Sequence, residues 1–275
     1  MKALTQTIIE SEQDWLSFNW AELRQYKDLF YFLVWRDVTV LYKQTVLGFA
    51  WAIIRPLFSM VVFSIVFGRL AQIPSDGIPY PIFAYAALVP WIYFSSAMTE
   101  ATGSLVGNAP MLSKVYFPRL VIPMTPILAK LVDFGIASII LGLMMLWYGL
   151  APTWNILLVP YLMLLMIFTA AGMGMWLSAL AIQYRDVRHA APFLAQLLMY
   201  AAPVVWPASL VPQAYRWLYG LYPMAGVIEG FRAALIGATP VPWDLMLPGT
   251  LSAVLIVVSG AIYFKRLERI FADVA

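Results

Sequence analysis

Apolar residues run through this chain in long unbroken blocks, not in short alternating stretches. A helix needs about 20 mostly apolar residues to cross the hydrocarbon of a bilayer. About six such windows occur, at 47–70, 82–105, 120–146, 156–182, 190–206 and 245–264. The blocks are too long, and too free of alternation, for barrel strands. The pattern therefore predicts an all-α, polytopic membrane protein whose transmembrane domain covers 47–264. A cytoplasmic segment, 1–46, precedes it, and a cytoplasmic tail, 265–275, follows it. Pro56, Pro90, Pro123, Pro126, Pro160 and Pro203 fall inside the blocks. Proline is tolerated in membrane helices where neighbours satisfy the freed carbonyls, and it bends them, so kinked spans are expected.

Two stretches depart from simple spans. Between 21 and 45, Tyr26, Phe30, Leu33, Val34, Val38 and Leu41 recur at helical spacing on one side, while Arg24, Lys27, Asp28 and Arg36 mostly lie elsewhere. This predicts an amphipathic helix lying in the membrane interface. Such a helix either anchors the first span or also docks a partner. Between 207 and 242, Pro207, Pro212, Pro223, Gly226, Gly230, Gly237 and Pro240 cut a moderately apolar stretch into short pieces. Pieces at 213–222 and 224–236 suit a re-entrant helical hairpin on the outer side. That hairpin either closes a route or is a plain surface cap. Glu229 and Arg232, spaced i, i+3, are placed to pair on it.

Composition sharpens the class. Of 275 residues, 63% are hydrophobic and 11% charged, and the mean hydropathy is +0.81. A soluble enzyme and a disordered chain are excluded on those values. A net charge of +3 is too small for a phosphate-tracking surface, so no nucleic-acid partner is expected. Cysteine is absent, which excludes disulfides, thiolate metal sites and a thiol nucleophile. The first fourteen residues carry Lys2 against Glu10, Glu12 and Asp14 and have no apolar core, unlike a secretory signal; the first span is expected to serve as its own insertion signal.

Lysine and arginine set the orientation. With the N-terminus in the cytoplasm, the inner side holds Lys2, Arg24, Lys27, Arg36, Lys43, Lys114, Arg119, Arg185, Arg188, Lys265, Arg266 and Arg269, and the outer side only Arg69, Arg216 and Arg232. Both termini are then cytoplasmic, which requires an even number of crossings.

Catalytic chemistry is poorly represented. No phosphate loop of the form G-x-x-x-x-G-K-[ST] occurs, nor H-E-x-x-H, nor G-x-S-x-G. The single His189 stands beside Arg188 near the cytoplasmic end of the fifth block and reads as an interfacial residue. Charges inside spans are costly and default to functional candidates. These are Arg55, Glu100, Lys130 and Asp133, with Lys130 and Asp133 at i, i+3 and so able to pair; the alternative role for that pair is a structural clamp between helices. The first block sets Trp51, Arg55, Phe58 and Val62 along one side, and the second supplies Tyr85, Trp91, Tyr93 and Phe94. Such rings anchor spans at interfaces; they are also suited to stacking on the pyranose faces of a passing sugar. In the fourth block Ala170, Gly174 and Ser178 form a close-packing face.

Four stretches, in order along the chain, resemble the type-2 ABC exporter permeases that move lipid-linked polysaccharides, most of all the O-antigen subgroup. They are Tyr42-Lys43-Gln44-Thr45-Val46-Leu47-Gly48 with Trp51 and Pro56; Gly107-Asn108-Ala109-Pro110-Met111-Leu112-Ser113-Lys114-Val115-Tyr116-Phe117-Pro118-Arg119; Tyr184-Arg185-Asp186-Val187; and Tyr222-Pro223-Met224 with Glu229-Gly230-Phe231-Arg232. The resemblance implies a homodimer around a shared conduit, each protomer recruiting a separate ATP-binding subunit. ATP and Mg would then reside on that partner, with no cofactor or metal in this chain. It implies a coupling helix within 108–116, carried by Asn108, Pro110, Met111, Lys114 and Tyr116. A second contact is implied on the interface helix, with Arg24, Lys27, Phe30 and Arg36. Conduit lining falls to Trp51 and Phe58, with Tyr85 and Trp91 from the second span, and an outer gate to Tyr222, Pro223, Glu229 and Arg232. The expected function is the channel-forming subunit of an exporter of lipid-linked polysaccharide, in contact with membrane lipids in the bacterial inner membrane. A capsular or teichoic-acid-type polymer is the alternative cargo. A membrane transferase using Glu100 or Asp133, and a secondary transporter, are rival classes; no internal repeat supports the latter.

Overall fold

The computed structural model describes residues 24–43, 48–112, 114–237 and 239–268. Expectations for 1–23, 44–47, Ser113 and 269–275 lie outside the described residues. The rest is helical, with no strand among the described residues.

In chain order the helices are α1 (Lys27–Lys43), α2 (Ala50–Phe63, continuing as a π-helical segment Ser64–Leu70), α3 (Tyr80–Gly107), α4 (Ala109–Leu112) and α5 (Val121–Trp147). They are followed by α6 (Val159–Gln183, led by a 3₁₀ turn Trp154–Leu158), α7 (Val187–Ala201), α8 (Gln213–Gly220), α9 (Pro223–Leu235) and α10 (Trp243–Leu267). Five of these are long and apolar enough to cross a membrane: α2 with its π segment, α3, α5, α6 with its leading turn, and α10.

The expected span at 190–206 takes a different form. Helix α7 starts earlier and stops after 15 residues. At about 1.5 Å per residue it falls short of a hydrocarbon core roughly 30 Å thick. Pro203 is the reason. The residue before a proline is pushed out of the α region, and Ala202 is extended at φ −80°, ψ 148°. Pro203 thus ends a helix where a kink was expected. Pro160 sits in the first turn of α6, a position that needs no N–H donor. Pro56, Pro90 and Pro126 do lie inside helices.

Helix α3 is the centre of the bundle. Of its most apolar 18 residues 78% are buried within the chain, against 6% for α2, which lies at the periphery. Helices α2, α5, α6, α7 and α9 all pack against α3. A close crossing joins α6 to α10. A Cβ on Gly172 would stand 2.7 Å from the Ile256 backbone, and one on Gly260 would stand 2.6 Å from the Gly172 carbonyl oxygen. Only glycine allows that approach, and in a lipid solvent close van der Waals contact is the main force that holds helices together. The predicted small face of α6 faces α3: a Cβ on Gly174 would meet Ala101 at 2.8 Å, and Ala170 and Ser178 are buried.

At one end of the bundle, α1 lays Leu33 into a secondary core with Leu105, Phe117, Val121, Ile122 and Phe264. Tyr26, Phe30 and Leu33, from the apolar side read from the sequence, pack into this core. Tyr31, Phe32 and Trp35 leave a second apolar side exposed.

Candidate functional site

Three places in this frame collect the charges and rings singled out by the sequence. The first is a polar cluster inside the bundle. The Lys130 ammonium on α5, only 5% exposed, stands 2.6 Å from Glu100 of α3 and 3.4 Å from Asp133 one turn along α5. The pairing expected from i, i+3 spacing is present, and Glu100 joins it. A lysine at this depth demands neutralisation, and two carboxylates surround it. Asp133 also accepts a hydrogen bond from the Tyr42 hydroxyl at the end of α1. That partner, 91 residues distant, left no signal in the sequence. Beside the cluster a cavity of about 230 Å³ opens between α2, α3 and α5, walled in part by Tyr42, Trp51, Arg55, Tyr93, Lys130 and Asp133. The Arg55 guanidinium lies 5.7 Å from the centre of the Trp51 ring, within cation–π range.

The second place is the segment after α3. Asn108 terminates α3 at φ −104°, ψ 14°, and its side-chain amide donates to the Ser104 carbonyl. Its backbone carbonyl starts the next turn by accepting from Met111 and Leu112. The helix expected within 108–116 is the single turn α4, with Pro110 and Met111 inside it. The chain then turns, because Phe117 is buried back in the bundle and Pro118 follows. Lys114 and Val115 are exposed, and Tyr116 is 80% exposed. Arg36 of α1 donates to the Asn108 side-chain carbonyl at 3.3 Å and pairs with Asp37 at 2.8 Å. Helix α1 is thereby tied to this segment. Arg24, Lys27 and Phe30 belong to the same helical stretch, with Phe30 packed on the secondary core.

The third place is the opposite end, where α8 and α9 form the expected hairpin. Glu229 and Arg232 pair at 2.9 Å, as their spacing predicts, and both are buried. Their other contacts define their work. Arg232 donates to the Val204 carbonyl at 2.9 Å and the Phe83 carbonyl at 3.3 Å, with its guanidinium carbon 3.5 Å from the Phe83 ring centre. Glu229 accepts from the Ala208 amide at 2.8 Å. The Tyr219, Tyr222 and Tyr80 hydroxyls donate to the carbonyls of Ala201, Leu198 and Val205. All these acceptors, and the Ala208 donor, belong to the broken end of α7 and the irregular chain after it, apart from Phe83. Non-helical backbone enclosed among apolar helices persists only where the protein supplies its partners; the hairpin supplies most of them here, and Tyr80 of α3 one. Burial pushes the Tyr219 and Tyr222 phenols above their ordinary pKa, so both stay neutral donors. Burial draws the Arg232 guanidinium down, and Glu229 opposes that shift. Pro223 opens α9 at its first turn.

The ring positions divide. Trp51 and Phe58 are exposed along α2. Tyr85 and Trp91, by contrast, are enclosed within the protomer. Tyr85 is fully buried with its hydroxyl donating to the Ala137 carbonyl, and Trp91 is buried against Phe94. Both sit on α3, which is enclosed on nearly every side.

The sequence pattern of the ABC-2 type transporter family matches residues 28–236, most of the chain. The chain belongs to this family. Among its curated relatives, the O-antigen export system permease protein RfbA of Myxococcus xanthus is 28% identical over 256 residues, covering 92% of this chain and 97% of that protein. A protein of the same name from Klebsiella pneumoniae is 25% identical over 263 residues, covering 90% and 95%. The polysialic acid transport protein KpsM of Escherichia coli is 25% identical over 207 residues, covering 73% and 78%. Within this ABC-2 family member, the matched region runs from Asp28 of α1 to the end of the α8–α9 hairpin and so includes the Lys130 cluster, the 108–116 segment and the Glu229–Arg232 pair.

Proposed function

We propose that this ABC-2 family chain is the membrane-spanning subunit of an ATP-driven exporter that carries a lipid-linked polysaccharide, O-antigen first among the candidates, across the bacterial inner membrane. The observation that carries the reading is the near end-to-end similarity to O-antigen export permeases in a chain built of apolar helices. Two copies would enclose the conduit, and two ATPase subunits would bind ATP and Mg. Helix α2 supports a dimeric arrangement: it is the least buried span, and its Trp51, Arg55, Phe58 and Val62 side is exposed within the protomer. The similarity to a polysialic acid transport protein favours a capsular polymer as the second cargo. A transferase reading is weakened, because Glu100 and Asp133 are both engaged by Lys130.

In this reading both termini are cytoplasmic, and the sixth crossing that this requires is made by α7 together with the non-helical chain that follows it, beside the five long helices. The α1, α4 and α10 C-terminal end then faces the ATPase, and the α8–α9 hairpin faces outward. ATP binding would draw the partner subunits together, press on 108–116 and rock the spans, opening the route between protomers. Coupling of this kind requires contacts that differ between the two states. The test replaces Lys114 and Tyr116 by alanine in the chain purified with its ATPase. Loss of export, together with loss of polysaccharide-stimulated ATP hydrolysis, is expected. Unchanged values of both would remove 108–116 from the coupling role.

A further inference from the structure

The polar contacts at the α1 end form a closed circuit through three helices. Helix α1 holds α3 through Arg36 and Asn108, and holds α5 through Tyr42 and Asp133. Helix α5 holds α3 through Lys130 and Glu100, and the Lys130–Asp133 pair closes the ring. Arg36 and Tyr42 are less than two turns apart on α1. Glu100 and Asn108 are about two turns apart on α3. Three rigid helices tied at three corners cannot shear past one another unless at least one tie breaks. One corner, Asn108, is also the first residue before α4, and another, Tyr42, stands on the wall of the 230 Å³ cavity with Trp51 and Arg55.

We propose that this circuit makes α1, the α4 end of α3 and the Lys130 turn of α5 one moving body, which carries displacement of the 108–116 segment to the cavity wall formed by Tyr42, Trp51 and Arg55. Lys130 is its positioning residue: it touches both carboxylates and joins the two spans. The inference rests on the exporter reading, because the displacement enters at 108–116.

The chain has no cysteine, so spin labels can be attached at single introduced sites. In the full complex with its ATPase, in proteoliposomes, labels at Tyr31→Cys on α1 and Val115→Cys after α4 report the body; both positions are exposed. Labels at Tyr31→Cys and Leu255→Cys on α10 report its motion against the rest. Nucleotide binding should leave the first distance unchanged and shift the second. In Lys130→Met, the first distance distribution should broaden, and ATP consumed per glycan exported should rise tenfold or more. Lys130→Arg, which keeps the charge and both ties, should restore the ratio. Tyr42→Phe removes one corner without leaving a buried charge unpaired and should broaden the same distance if Lys130→Met fails to fold. A first distance that shifts with nucleotide in the unsubstituted complex overturns the proposal, as does a folded Tyr42→Phe or Lys130→Met with both values unchanged. Absence of export from the unsubstituted complex counts against the exporter reading instead.

Discussion

Replacing Arg232 by methionine should be among the most damaging single changes in this chain. The substitution keeps much of the side-chain length and removes every donor. Glu229 then stays buried with the Ala208 amide as its remaining polar contact, and the Val204 and Phe83 carbonyls each lose a donor. Breaking a buried ion pair by removing one partner costs about 3–5 kcal/mol, because the other charge is left uncompensated. Glu229→Gln, which strands the guanidinium instead, should cost a comparable amount. The double variant Glu229→Gln/Arg232→Met removes both charges, so its cost should fall below the sum of the singles, with a coupling energy above about 1 kcal/mol. Equilibrium unfolding in mixed micelles, read by tryptophan fluorescence for the four chains of the cycle, measures all of these. Single costs under about 0.5 kcal/mol that simply add are the signature of an exposed pair. That result would refute the assignment of this pair as the clamp that holds the end of α7.

Other positions separate packing from passage. Gly172→Leu forces a side chain into the Ile256 backbone and should cost at least about 1–3 kcal/mol, seen as a lowered melting temperature. Gly103→Ala, with nothing near the added carbon, should be neutral or stabilising by roughly 0.5–1 kcal/mol. Tyr85→Phe deletes one buried hydrogen bond, worth about 0.5–1.5 kcal/mol, and should leave the export rate of the folded protein unchanged. Phe58→Ala on exposed α2 should lower export of glycan in vesicles while the melting temperature holds.

The architecture was readable because the solvent imposes it: in lipid every backbone group needs an internal partner, so long apolar blocks become helices. Local pairs were readable for the same reason. Lys130 with Asp133, and Glu229 with Arg232, follow from one helical turn of spacing. Partners brought together by the fold were not. Glu100 reaches Lys130 from another helix, and nothing about Tyr42 marks it as a ligand of Asp133. Burial was the hardest feature to read. Helix α3 is apolar on all sides, and a side chain that faces lipid looks the same in sequence as one that faces protein, so Tyr85 and Trp91 resembled the exposed Trp51 and Phe58. Pro203 was visible, but its effect depended on whether nearby side chains could satisfy the backbone after α7. The hairpin tyrosines and Arg232 do so, which let the helix end instead of bending.

The central claim is that this chain provides the route and a separate subunit provides the energy. The direct measurement is transfer of a lipid-linked polysaccharide across proteoliposomes that contain the chain alone, or the chain with its ATPase, each with and without ATP. Transfer only with both proteins and ATP, and no nucleotide hydrolysis by the chain alone, is the predicted result. Equal transfer by the chain alone, or ATP hydrolysis by it, would contradict the account.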